Sequence, residues 1–322
     1  FMEGLMRHDS PLYGRADYRP LLEPFDYRIA AELASPHLTP AARIARYAVL
    51  GGTPQYQVWA GDRPLGAVLR RQILSPGTSL YEEPLQLLRS HDDIRDPAGY
   101  FTALQAIARG ATQTGEVATA MQVRQPSATE ALGRLRELGY VELKEPLESD
   151  EPLLPGRSRR RGVWTVADPY FRFWFRYVLP NRSRLEQGEA EAVATDIERD
   201  LDSFVGPIFE ECCRTWLWRY SPPEVIRSWR EMGSWWSRKG DVEVDIVAMR
   251  QQRYTLVAEC KWYKKPVGVE TLDMLQERRA VLGGPAAQAR LALFARAGFT
   301  DALAERAAME RVLLVTAEDL FR

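Results

Sequence analysis

The sequence predicts a multidomain α/β protein, and three observations carry that reading. The first ninety or so residues are helix-forming segments punctuated by prolines. Residues 97–168 then place three helical segments ahead of two short strand-like runs. From Phe204 onward strands and helices alternate, the pattern of a mixed sheet flanked by helices. At 322 residues the chain is also too long for one ordinary core.

In the first stretch, turns are marked by Pro11, Pro20, Pro24, Pro36 and Pro40. Residues 40–50 form an amphipathic run that Gly51 and Gly52 stop, and Pro54 restarts the chain. In the second stretch the helices are expected at 100–108, at 115–121 with Thr114 as cap, and from a Ser127/Glu130 capping box to Leu138-Gly139. Strands at 140–145 and 162–166 complete the order of a winged helix, whose third helix meets a nucleic-acid groove. Arg124, Arg134 and Arg136 lie on or beside that helix, and Arg157, Arg159, Arg160 and Arg161 lie in the wing. Such residues give salt-dependent affinity for DNA phosphates, while a winged helix used for protein packing would leave them solvated. The aromatic run 168–177 reads as a buried connecting helix, with base stacking as the alternative.

Composition narrows the classes. A 45% hydrophobic, 27% charged chain has no disordered signature, and its net charge of -1 neither favours nor opposes nucleic acid. Cys212, Cys213 and Cys260 cannot build a disulfide framework, which fits a reducing cytoplasm. His8, His37 and His91 are too scattered for a His/Cys zinc site, and no apolar run is long enough to span a bilayer. Phe1 is not an initiator, so the chain reads as a portion of something longer.

The chemistry concentrates near the C-terminus. A helix at 204–220 precedes strands expected at 224–229, 241–249 and 254–262; a helix (269–282), strand (289–295), helix (300–309) and strand (312–316) follow. Alternate strand residues share a face, so Glu243, Asp245 and Val247 point one way, and Val257, Glu259 and Lys261 share a face on the next strand. A hairpin at Gln251-Gln252 brings Asp245 beside Glu259. Two facing carboxylates repel, and a divalent oxygen-seeking cation relieves the repulsion. Mg²⁺ or Mn²⁺ on Asp245 and Glu259 is expected to bind a scissile phosphate and acidify a water, with Lys261 orienting that water. Glu210 or Glu211 completes the shell; adjacent helical residues diverge by roughly 100°, so one faces the sheet, and Glu210 is favoured. Asp, hairpin, then Glu-x-Lys on an apolar strand resembles the PD-(D/E)XK nucleases. A paired ion cluster in a fold that only binds is the alternative.

Further runs widen the resemblance: Ser10-Pro-Leu-Tyr-Gly-Arg15, Tyr47-Ala-Val-Leu-Gly-Gly-Thr-Pro54, Tyr170-Phe-Arg-Phe-Trp-Phe-Arg176 and Ala258-Glu-Cys-Lys-Trp262. Together with the nuclease-like residues they resemble archaeal-type ATPases of the STAND/AAA+ group. In that group a P-loop ATPase core precedes a helical lid, a winged helix and a PD-(D/E)XK-related domain. The resemblance implies a lid remnant at 1–95, a winged helix at 96–168, aromatic connecting helices at 169–200 and a nuclease-like domain at 201–322. It also implies that Gly51, Gly52 and Pro54 lie near bound ATP and that Arg15 reaches its phosphates, here or in a neighbouring subunit. No G-x-x-x-x-G-K-[ST] occurs in these residues, so ATP binding and assembly through the ATPase core are expected of the full-length protein only.

Overall fold

The computed structural model describes residues 22–90, 97–148, 162–226 and 229–322. Arg15 and the wing arginines Arg157, Arg159, Arg160 and Arg161 lie outside the described residues.

The N-terminal helices are α1 (Tyr27–Glu32), α2 (Pro40–Leu50), α3 (Pro54–Ala60), α4 (Leu65–Val68), which runs on into a π-helical turn, and α5 (Ser79–Arg89). Asp26 caps α1 by accepting the Arg28 and Ile29 amides, and Pro54 opens α3, where a missing N–H costs nothing. Between α2 and α3 the two glycines have separate reasons to be there. Gly51 sits at φ +67°, and Gly52 lies so close to the Phe25 backbone that a Cβ would overlap it. Phe25 N–H donates to the Gly52 carbonyl at 2.8 Å, so the approach is fixed. Gly52→Ala is therefore expected to destabilise the chain by about 2 kcal/mol, the usual penalty for forcing extra volume into a packed site. Urea titrations of the two proteins check this, and matching midpoints would refute it.

Helices α6 (Pro97–Ala108), α7 (Thr114–Met121) and α8 (Gln125–Glu137) lead into the antiparallel pair β1 (Val141–Lys144) and β2 (Val163–Val166). The expected caps shift. Gln113 precedes α7, and the Glu116 carboxylate accepts the Thr112 and Gln113 amides, while Thr114 accepts the Trp164 indole N–H. The third helix begins at Gln125 rather than at a Ser127 cap, because Pro126 is preset for a first helical turn. Past β1 the chain is stitched to the neighbouring sheet: Leu147 N–H donates to the Ser234 carbonyl at 2.9 Å, and Tyr254 O–H to the Leu147 carbonyl at 3.0 Å.

The aromatic run forms α9 (Pro169–Phe173), a π-helical turn at Trp174–Val178 and α10 (Arg182–Glu186). Tyr170, Phe173, Trp174 and Phe175 are fully buried, and Trp174 donates to the Tyr81 carbonyl at 2.9 Å, so these rings pack the interior rather than offering a stacking face. The long α11 (Ala190–Thr215) continues as a π-helical turn to Tyr220, and α12 (Pro223–Ile226) follows. The expected strand at 224–229 is corrected: the Pro222-Pro223 pair opens a helical turn, and the strand lies later.

The sheet has five strands in sequential order: β3 (Glu231–Trp236), β4 (Glu243–Arg250), β5 (Arg253–Lys261), β6 (Arg290–Ala295) and β7 (Leu313–Thr316). The first three are antiparallel and the last three parallel. Parallel neighbours need crossovers, supplied by α13 (Val269–Val281) and α14 (Asp301–Glu310). A mixed α/β architecture is what the alternation predicts. One sheet face, with Ile246, Ala258 and Cys260, joins α11 in a core that runs without interruption from Tyr27 to Leu320. The other, with Val247, Val257 and Leu293, packs on Leu272 and Leu275 of α13 and Leu303 of α14. Among the described residues no helix is long and apolar enough to cross a membrane.

Candidate active site at the end of the central strand

The β4–β5 ladder pairs Ile246 with Ala258, and one step further the strands part at Asp245 and Glu259. Where the ladder stops, the Cys260 N–H donates to the Asp245 carboxylate at 2.8 Å in place of a backbone carbonyl. From the other flank, a register shift in β3 between Gly233 and Trp235 brings in Ser234. Its hydroxyl donates to the Asp245 carbonyl at 3.0 Å and accepts from Arg214 of α11 at 2.8 Å. Asp245 is thus held by two neighbouring strands, β5 at its carboxylate and β3 at its carbonyl, with Arg214 of α11 behind Ser234.

Glu259 is almost sealed from solvent, at 1% side-chain exposure. Its two oxygens are taken by the Lys261 ammonium at 2.6 Å and by the Arg278 guanidinium of α13. Burial opposes the charge on Lys261, but Glu259 outweighs it and raises the lysine pKa. Arg278 could not be found from spacing, since it lies on another element 19 residues away and no motif marks it.

Glu210 and Glu211 part as a helix requires. Glu210 stands in the field of Asp245: burial, then Asp245, raise its carboxyl well above the ordinary range, against the pull of Arg214. Glu211 turns the other way, to Lys144 at 2.7 Å and Arg172 at 3.3 Å. Burial works against its charge, but Arg172 and Lys144 hold its carboxyl at about 2. Asp245 itself is pushed up, first by burial and then by Glu259, with the Cys260 N–H and Lys261 opposing. Glu210, Asp245, Glu259 and Lys261 therefore converge where β5 ends, an edge of parallel strands at which α/β folds commonly carry sites.

The carboxylate donors suit a hard divalent cation. Their arrangement answers part of that need already, because Lys261 and Arg278 neutralise Glu259. Among the described residues no group of three or more His, Cys, Asp or Glu is disposed to hold a metal ion.

The other candidate residues lie apart from this edge. Gly51 and Gly52 have the backbone roles described above, with Gly51 against Asp168 at the start of α9. On α8, whose buried face is Ala128, Leu132 and Leu135, Arg124 and Arg136 are exposed and Arg134 pairs with Glu137 at 2.9 Å. A cleft of about 1180 Å³, lined by Tyr47, Asp168, Glu211, Arg214, Trp218 and Trp236 among others, separates the N-terminal segment from β3. No sequence pattern pointed to it.

A curated relative, an uncharacterized protein of Methanocaldococcus jannaschii (MJECL04), is 24% identical over 262 residues, covering 81% of this chain and 56% of the relative. The chain therefore spans about half the length of that relative. The crystal structure of protein VC1899 from Vibrio cholerae aligns at 14% identity and a TM-score of 0.26, over 70% of this chain and 55% of the other, too loose a likeness to bear on the fold. Residues 174–276, the stretch that holds Glu210, Asp245, Glu259 and Lys261, match the family model DUF234, described as archaeal and bacterial proteins of unknown function.

Proposed function

We propose that the five-stranded unit is a metal-dependent nuclease acting on DNA, set in a longer ATP-regulated protein. The observation that carries this reading is the gathering of Asp245, Glu259 and Lys261 at one strand end, with Asp245 in the field of Glu259 and Glu210 in the field of Asp245. Asp245 and Glu259 would hold the ion, with Glu210 in the field of Asp245, and the chemistry that bound Mg²⁺ or Mn²⁺ would supply is polarisation of the phosphodiester and acidification of a water. Lys261, paired with Glu259 at 2.6 Å, would set a positive charge where a phosphate gains negative charge. The Cys260 N–H and Ser234 hold Asp245 in place. Exposed Arg124 and Arg136 on the winged helix, with the wing arginines, would bind DNA phosphates, and the N-terminal helices would pass on ATP state as a lid. Assembly through an ATPase core is part of the same proposal.

The test is incubation of labelled linear, branched and single-stranded DNA with Mg²⁺, Mn²⁺ or EDTA. Cutting that needs metal and falls about a hundredfold in Lys261→Ala, the scale set by losing one charge-stabilising group, is the expected result. Wild type that cuts nothing under any metal refutes it.

A second reading is a non-catalytic, ATP-gated DNA-binding regulator. What favours it is the full engagement of Glu259 by Lys261 and Arg278, which leaves that carboxylate no free oxygen. Salt-sensitive DNA binding without cleavage would select it.

A further inference from the structure

Just past Lys261 the chain makes a loop, 262–268, whose framework is tied down on every side. Asp202 of α11 accepts from the Trp262 indole at 3.2 Å and from Arg296 at 2.7 Å, and pairs with Lys264 at 2.9 Å. Arg296 also lies over the Trp262 ring, 4.7 Å from its centroid. At the far end Val267 exchanges backbone bonds with the 298–300 segment, donating to the Gly298 carbonyl and accepting from Thr300 N–H. Trp262 and Val267 are buried, so both ends are anchored in the core.

On this fixed frame Tyr263 is held outward, 56% exposed, with the Lys261 ammonium 5.8 Å from its ring centroid. Lys264 and Lys265 follow it at the surface, and residues 261–268 include three lysines and no acid. An aromatic ring kept in water on a rigid loop, flanked by cations and next to Lys261, is the arrangement that grips a single nucleic-acid strand. The ring stacks a base, and the lysines meet the phosphates on either side. A base inside a duplex offers no free face for such a ring.

We infer that loop 262–268 is a single-strand platform, with Tyr263 as the stacking ring and Lys264 and Lys265 as phosphate contacts, so that the strand end delivers an unpaired strand to the edge occupied by Asp245 and Lys261. The inference rests on the nuclease reading and deepens it by naming the substrate class, a single-stranded or locally unpaired strand.

The test is fluorescence anisotropy with labelled oligothymidylate and a labelled blunt hairpin duplex, in EDTA so that nothing is cut. Tyr263→Ala is expected to weaken oligothymidylate binding about tenfold and to leave the duplex almost unchanged, with Tyr263→Phe restoring the strand affinity. Lys265→Ala is expected to weaken both and to flatten the salt dependence. Tyr263→Ala that binds oligothymidylate as wild type does, or loses both probes equally, overturns the platform, and so does a Phe variant that fails to rescue. Running the cleavage assay alongside separates the two readings. A wild type with this binding pattern that never cuts removes the nuclease and leaves the strand platform. Lys261-dependent cutting with a silent Tyr263→Ala does the reverse.

Discussion

Replacing Glu259 by glutamine is expected to destabilise the protein by about 3–5 kcal/mol, because it leaves two cations facing a neutral amide inside the sheet. Lys261 is 18% exposed and Arg278 23% exposed, so solvent gives neither enough relief. The shape is kept and only the charge is lost, which separates electrostatics from packing. Arg278→Gln is the contrast: it leaves Glu259 paired with Lys261 at 2.6 Å, and its loss should be clearly smaller. Urea unfolding at pH 7 followed by tryptophan fluorescence reads both. A Glu259→Gln loss below about 1 kcal/mol would mean that the cluster is far better hydrated than its burial implies.

Asp245→Asn is expected to act in the opposite direction, by an amount that grows as pH rises from 4 toward 7 and then levels off. The Asp245 carboxyl is raised from its ordinary value to about 7 by burial and by Glu259. The folded state therefore holds this proton more tightly than the unfolded chain does. Stability from this group is complete below pH 4, falls as pH rises toward 7, and stays lost above it. Three units at 1.36 kcal/mol each set the upper scale at about 4 kcal/mol. Asparagine can still accept the Cys260 N–H, so the variant should match wild type at pH 4 and exceed it by about 2–4 kcal/mol at pH 8. Glu210, displaced in the same direction, adds to the wild-type slope without changing its sign. Parallel pH–stability curves for the two proteins would sink the prediction.

The features legible in the sequence were those set by short-range periodicity. Alternation along β4 and β5 shows which residues share a face, but the tight Gln251-Gln252 turn by itself pairs Arg250 with Arg253 and would set Asp245 opposite Ala258. A bulge between Ala248 and Met249 moves the ladder by one residue, so that Ile246 pairs with Ala258 and Asp245 comes across from Glu259. Helix ends read less well because local breakers lose to packing. The helix expected to begin at Phe204 begins at Ala190 instead, and α11 passes through Gly206-Pro207, held by buried Val193, Ile197, Phe204 and Ile208 on one stripe. Pro222-Pro223 worked in reverse, displacing a strand whose residues otherwise suit one. Arg278, the second partner of Glu259, and the cleft beside Arg214 arise from elements that no local pattern links.

The unbroken apolar interior from Tyr27 to Leu320 bears on how such a protein can be remade by recombination. The sheet and its acidic edge are not a cassette that can be transplanted by a crossover near residue 200. A cut there would split α11 and strip the cover from Phe209, Cys213 and Trp216, while the Tyr27 hydroxyl would lose its 2.7 Å bond to the Leu320 carbonyl. Any exchange that preserves the fold must carry the N-terminal helices along, so the parts that would sense and the parts that would cut are inherited as one piece.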